Sequence, residues 1–564
     1  MAESISRGRL RWPLLLTLSF AAALLPSLAA AGEDDDLPTP EELERRGAVI
    51  GSVVLDMHDI FDPTIPEEDR MLFRGANRLH RQTRPHVVEE LLLFRPGDLY
   101  SARKIAESER LLRSTHFFDD PEIRVVRFAD GRVDLRVTTR DLWTLKGGVG
   151  IGRSGGVNST HFQLEDTNLL GTGRTVDLEQ SSNVDRSSFL VHFRDANLAG
   201  RRVYLDVNYA ENSDGNDRSF ELTRPFFALD SRWAAGVRAA TSDRVDSLYT
   251  LGHVSSSFRH REERFEIFQG IGRRSLGDAD AAGAEQRVSR FTFGYTFERD
   301  RFEAPPGPGQ TPPDELPGDR VLSEPWVAFD SVGDDYLKTH NFEQLGRVED
   351  LSLGWRFHAR LGASLETLGA DRNEAVFDST ASWGRHPDSE TSQTWLFSGA
   401  FSGRLGGEEG RNLLASTRAR YYRRNFGEQL LLVSLEADAA HRLDPENQLL
   451  LGGDSGLRGY PLRYQQGDRR LLFSVEQRVF TNWYPFRLVR VGGAVFFDAG
   501  QMWSSDESFE SQSRGLLKDI GIGLRLGSTR SSLGSVVHLD VAFPLDGDGT
   551  IRNVQFLVSS RTGF

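Results

Sequence analysis

Alternation of apolar and polar residues with a period of two, repeated run after run from Leu142 to Phe564, constrains this chain more than any other feature. The runs are about ten residues long and are separated by turns, as in a strand series that crosses a membrane. The last run is the clearest. Val554, Phe556, Val558, Ser560, Thr562 and Phe564 share one face, and Gln555, Ser559 and Arg561 the other. Just before it, Val537, Leu539, Val541 and Phe543 alternate with His538 and Asp540. A soluble β-sandwich would alternate in the same way, so other features must decide between the two.

One such feature stands at the N-terminus. Arg7, Arg9 and Arg11 precede the short apolar core Leu14 to Leu25, and Ala29-Ala30-Ala31 supplies a small-residue cleavage site. Residues 1–31 therefore read as a signal peptide. After residue 31 no apolar run reaches the roughly 18 residues that a membrane helix needs. The mean hydropathy of −0.42 is also too low for a helical membrane bundle. Export, the length of the strand series and the terminal aromatic Phe564 together favour a transmembrane antiparallel barrel over residues 142–564 in a mainly β protein. An even strand number is expected, and somewhat more than about 16 strand-like runs are present.

Between the signal peptide and the barrel lie two further stretches. Residues 32–47 begin with the acidic Glu33-Asp34-Asp35-Asp36 and read as a linker, disordered to about Glu44. Residues 48–141 read as a small α+β domain. A strand from Ala48 to Ile60 places Val49, Val53, Leu55 and Met57 on one face. A helix starts near Thr83 and Pro85 and buries Val87, Val88, Leu91 and Leu92. Ser101 caps a second helix that turns Ile105, Leu111 and Leu112 inward. Two strands follow, joined at Ala129-Asp130-Gly131.

Composition narrows the function classes. The absence of cysteine removes disulfides, thiolate metal sites and cysteine nucleophiles. A net charge of −14 argues against a general nucleic-acid binder. The 13 histidines show no metal-ligand spacing, and no phosphate-binding loop is present. Ser455 and His441 resemble a protease pair only superficially, lying too close in sequence for that layout. No enzyme, cofactor or metal site is expected.

Within the barrel, Asp166-Thr167-Asn168-Leu169-Leu170-Gly171 recurs as Asp195-Ala196-Asn197-Leu198-Ala199-Gly200, consistent with repeated hairpins. Gly277 to Gln286 and Ala304 to Pro317 read as long loops. Trp326, Trp355, Trp383, Trp395, Trp483 and Trp503 are candidates for interfacial girdles. Gly452-Gly453-Asp454-Ser455-Gly456-Leu457-Arg458-Gly459-Tyr460-Pro461 is a glycine-rich loop carrying one arginine. Parity in the next two strand-like runs points Glu476 and Asp498 toward the lumen.

The Arg-Gly-Tyr loop, the two inward acids, the repeated hairpin segments and the terminal phenylalanine together resemble the BamA/TamA-like outer-membrane assembly barrels, the bacterial surface antigen superfamily. The β-α-α-β-β order of residues 48–141 resembles a POTRA domain. The resemblance implies 16 strands, with surplus runs placed in long loops or strand extensions. It implies a lumen loop at about 449–470, locked by Arg458, Gly459 and Tyr460 against Glu476 and Asp498. Val554, Phe556, Val558 and Phe564 would form the barrel's C-terminal recognition signal. It further implies residence in the bacterial outer membrane, with the POTRA domain in the periplasm. The implied partners are the lipid bilayer, unfolded outer-membrane protein clients or one secreted protein, and a possible periplasmic or inner-membrane partner. The implied activity is assembly of outer-membrane proteins, the alternative being a translocation pore for a dedicated secreted partner.

Overall fold

The computed structural model describes residues 37–274, 287–387, 392–505 and 514–561, apart from 308, 408, 428, 533, 535, 548 and 550. The expected signal peptide, the loop Gly277 to Gln286, Thr562 and Phe564 lie outside the described residues.

An N-terminal module is built from α1 (Pro40–Arg45), β1 (Val49–His58), α2 (Met71–Leu79), α3 (Pro85–Leu91), α4 (Ala102–Ser114), β2 (Phe118–Ala129) and β3 (Arg132–Asp141). Its sheet has the order β1-β3-β2, so β1 and β2 are the edges. Asp130 and Gly131 both take positive φ, which is what a two-residue hairpin turn requires. Ser101 caps α4 through the Lys104 amide. Leu112, Val88, Ile50, Leu135 and Val137 fill the core.

Three details depart from the sequence reading. Part of the expected linker is helical. Thr39 and Glu42 form a reciprocal capping box, Pro40 stands in the first turn, and Leu43 is fully buried in the module core. In β1 the register shifts between Ile50 and Val53, so Ile50 rather than Val49 faces the core before Val53, Leu55 and Met57 resume it. Helix α2 was not expected at all. Its N-cap Arg70 makes no side-chain capping bond, so no start signal announces it.

Among the described residues, 20 antiparallel strands close the barrel, from Leu145–Ser154 to Gln555–Arg561. The expectation of about 16 is corrected. The surplus alternating runs are wall strands, not loop extensions. Trp233–Thr250, His253–Arg274 and Arg287–Glu303 have 18, 22 and 17 residues, longer than a bilayer crossing needs. Their outward faces show where the lipid belt ends. Phe265, Ile267 and Ile271 are exposed apolar residues, whereas Arg259 and Arg261 farther along pair with Asp243. Trp383, Trp395, Trp483 and Trp503 are exposed on the barrel. Trp326 is not a girdle residue. It is buried, donates to Thr296 and lies under the Arg360 guanidinium.

The module docks against one rim of the barrel. The repeated Asp-x-Asn-Leu-x-Gly segments are two turns of the same shape on that rim. Leu170 and Ala199 take φ 53° and 54°, and Asn168 and Asn197 each cap the turn with their side chains. Both grip the module: Asn168 donates to Thr83 at 2.7 Å, and Asn197 to Glu90. A Cβ on Gly171 would meet the Gln82 carbonyl at 2.3 Å, so glycine permits this approach.

Candidate functional site

The loop between Gln429–His441 and Arg469–Phe480 starts at the rim opposite the module and folds into the lumen. Short strands Leu449–Leu451 and Gln465–Gly467 pair to form its stem. At the tip, Gly456 takes φ +115°, a left-handed conformation that favours glycine. A Cβ on Gly459 would lie 2.6 Å from that of Asp519, so glycine permits the close approach of loop backbone to the wall there. Leu457, Tyr460, Tyr464, Leu472, Met502 and Leu517 pack the loop to the inner wall.

Of the five residues expected at the loop lock, Arg458, Glu476 and Asp498 meet one another, whereas Gly459 and Tyr460 contact the neighbouring Asp519, Lys518 and Asp546. Arg458 Nε and Nη2 donate to the two oxygens of Asp498 at 2.7 and 2.9 Å, and Nη1 donates to Glu476 at 2.8 Å. The guanidinium lies 3.4 Å from the centroid of the Phe496 ring. Strand alternation places these groups: Glu476 and Asp498 stand on neighbouring strands, each facing inward. Burial would push the Arg458 guanidinium down, but Asp498 and Glu476 outweigh it and hold the group above its ordinary value. Burial pushes the Tyr460 phenol up to about 12, so it stays protonated and donates to the Lys518 and Asp546 carbonyls. The Gly459 amide donates to Asp519 at 3.0 Å.

Several participants were missed in the sequence. Asp519 pairs directly with Asp498 across the next strand, and inward parity in Leu517–Ser528 could have flagged it. Arg478 and Arg525 approach Glu476 at 3.0 and 3.5 Å, and Arg525 also donates to Asp540. Arg463 forms a second clamp on the far side of the loop. It donates to both oxygens of Asp185 at 2.7 Å and stacks 4.2 Å from the Tyr249 ring centroid. Nothing in the sequence around Asp185 announces that pairing.

A hairpin, Tyr336–His340 with Val348–Ser352, enters from the module's side. Arg110 holds it at Asp334, and Arg113 grips Asp350 through two bonds of 2.7 and 3.0 Å. Its tip reaches the lock network. The Phe342 carbonyl accepts from Arg478, and Glu343 accepts from Arg420 and Tyr422. Loop and hairpin thus occupy the lumen from opposite rims.

Among the described residues, the seam between the first and last strands is the barrel's most sparsely paired joint. Other neighbouring wall strands share between 7 and 18 paired positions, whereas here, among the described residues, only Val558 pairs, with Arg153. Bonds beyond the strand ends bracket the gap. Trp143 exchanges backbone bonds with Arg530 and Ser532 at the module rim, and Ser154 donates to the Gly453 carbonyl of the loop. Of the expected C-terminal signal, Phe556 faces outward and exposed, Val558 carries the seam pair, and Val554 sits half-buried just before the strand.

Residues 397–561, which include the lumen loop and the last strands, match the Omp85 superfamily domain. The last part of the barrel is thus similar to that superfamily. The outer membrane protein assembly factor BamA of Nitratidesulfovibrio vulgaris is 26% identical over 206 residues, covering 36% of this chain and 23% of that protein. The alignment thus spans under a quarter of that relative's length. Two solved structures resemble this chain at low identity. BamA from Haemophilus ducreyi lacking POTRA domains 1–3 gives a TM-score of 0.38 at 14% identity, over 91% of this chain and 85% of that one. CdiB from Acinetobacter baumannii gives 0.45 at 10%, over 92% and 74%. The Omp85 domain match and the closed β-barrel indicate the outer membrane.

Proposed function

We propose that this protein folds and inserts other outer-membrane β-barrels by a non-enzymatic route. The observation that carries the reading is the seam, where among the described residues a single pair joins the first and last strands. An unpaired backbone edge in hydrocarbon is costly, and it recruits any extended segment able to complete its hydrogen bonds. Gly147, Gly148, Gly150 and Gly152 on the first strand reduce side-chain packing along that edge. A client strand could pair there and template the next.

In this reading residues 48–141 are a periplasmic POTRA domain, residues 1–31 a signal peptide and residues 32–47 a linker, ahead of the barrel at 142–564. The edge strands β1 and β2 would capture client segments before they reach the seam. Arg458, Gly459, Tyr460, Glu476 and Asp498 would hold the loop in the resting barrel, and Val554, Phe556, Val558 and Phe564 would serve the protein's own assembly. The rival, a pore for one secreted partner, requires the lumen to empty. Its occupation by the loop and the hairpin supports a route through the wall instead.

Quantitative proteomics of outer membranes and culture medium, with and without the protein, tests the choice. Loss of several unrelated barrels is the expected result. Loss of one secreted protein with the barrels unchanged would establish the pore and overturn this reading.

A further inference from the structure

Helix α2 presents a face that the fold does not cover. Met71, Leu72 and Leu79 are 84%, 68% and 79% exposed. At 100° per residue these three fall within one arc, with Arg74 and Arg78 along its flank. Arg70 and Arg81 are exposed just beyond the helix ends. Among these four arginines, Arg74 pairs with Asp69 at 3.1 Å. A basic, apolar surface of this kind on a chain of net charge −14 calls for a particular partner.

The opposite face fixes where the helix sits. Phe73 stacks on Phe61 at 4.3 Å, and Ala76, Trp143 and Leu488 join the same cluster. Asn77 bonds the Phe61 backbone through both its amide nitrogen and its oxygen. Glu67 and Glu68, just before the helix, approach Arg487, and Glu68 also accepts from Arg530 at 2.6 Å. The helix is therefore tied to two turns of the barrel rim. One of them, between Arg469–Phe480 and Val489–Trp503, carries Trp483 and Phe486 at 65% and 75% exposure. Val479 and Trp483 continue the outward parity of Leu471 and Phe473, the lipid-facing side of the wall. Helix α2 thus packs, through Phe73 and Leu488, beside the turn that carries this aromatic rim.

We propose that α2 is an interfacial anchor that lies in the bilayer leaflet on the module's side of the barrel. Met71, Leu72 and Leu79 enter the boundary of the acyl region, and Arg70, Arg74, Arg78 and Arg81 meet anionic phospholipid headgroups. Packing beside the aromatic rim turn and charge complementarity both select a lipid surface over a protein partner. Phe73 and Trp143 share one cluster, and Trp143 leads into the first barrel strand, so the anchor grips the membrane at the foot of the seam. The inference needs only that the barrel stands in a bilayer. It holds or fails independently of the insertion function.

The absence of native cysteine makes the test clean. Full-length protein carrying Leu72→Cys, or Asp130→Cys in the exposed β2–β3 turn as reference, is labelled with an environment-sensitive fluorophore. It is then reconstituted in phosphatidylcholine vesicles with or without phosphatidylglycerol. The expected result is a blue-shifted label at position 72, quenched several-fold more by nitroxide-labelled lipid than by iodide, and more deeply with phosphatidylglycerol. Position 130 should show the reverse preference. Arg74→Glu with Arg78→Glu should abolish the dependence on phosphatidylglycerol while the barrel remains folded and inserted. Iodide quenching at position 72 equal to that at 130 overturns the proposal. So does shielding from iodide without lipid quenching, which would place a protein surface on the helix.

Discussion

Arg458 faces two carboxylates and an aromatic ring at once, and the geometry needs a planar fork of donors. At an effective dielectric near 20, each contact is worth about 4 kcal/mol before desolvation, which offsets much of it. Glu476 keeps Arg478 and Arg525 when Arg458 is removed, but Asp498 and its cross-strand neighbour Asp519 are left facing each other. Arg458→Ala should therefore destabilise the barrel by about 3–5 kcal/mol, the range for breaking a buried pair. Arg458→Lys should recover only part of this, because an ammonium lacks the fork. Thermal unfolding followed by heat-modifiable gel mobility checks both, and equal midpoints for wild type and Arg458→Ala would refute the lock. Arg463→Ala should loosen the outer mouth without touching Asp498, making the loop near Asp454 sensitive to added protease. At this scale the sequence was informative where a motif coincided with parity. Arg458, Glu476 and Asp498 were legible together. Arg463 was not, because its partner Asp185 lies 278 residues away in an unremarkable turn.

At the scale of elements, the seam and the hairpin carry separate expectations. Arg153 and Val558 are direct partners, so Arg153→Cys with Val558→Cys should form a disulfide across the seam. Client assembly should fall under oxidising conditions and return on reduction. Unchanged assembly in the oxidised protein would show that the seam does not open. Replacing residues 336–352 with a short turn should raise single-channel conductance in planar bilayers, since Phe342 at the hairpin tip packs on Tyr422 inside the wall. Conductance equal to wild type would show that the loop alone seals the lumen. The wall strands were readable because period-two alternation is local. The hairpin was not, since its five-residue strands are short and its role depends on contacts with Arg113 and Arg478 far away in sequence. Helix α2 escaped for a related reason. Its apolar residues split between a packed face and an exposed one, which blurs the single stripe that marks a buried helix.

Across the whole molecule, the strand count separates two kinds of inference. Counting alternating runs led above 16, and the resemblance pulled the expectation back; the runs themselves were the better guide to a wall of 20. Docking of the module joins it to early turns, the hairpin and a late turn of the barrel, and those joints differ in reach. The bond from Asn168 to Thr83 spans 85 residues, that from Arg113 to Asp350 spans 237, and that from Arg530 to Glu68 spans 462. Contacts of short separation form faster because less chain must be closed. The N-terminal module can thus settle on the first two turns while most of the wall is still unmade, receive the hairpin next and gain Arg530 only near the end. The protein would build its own barrel outward from a finished foundation, and the last joint to form would be the one that later has to part.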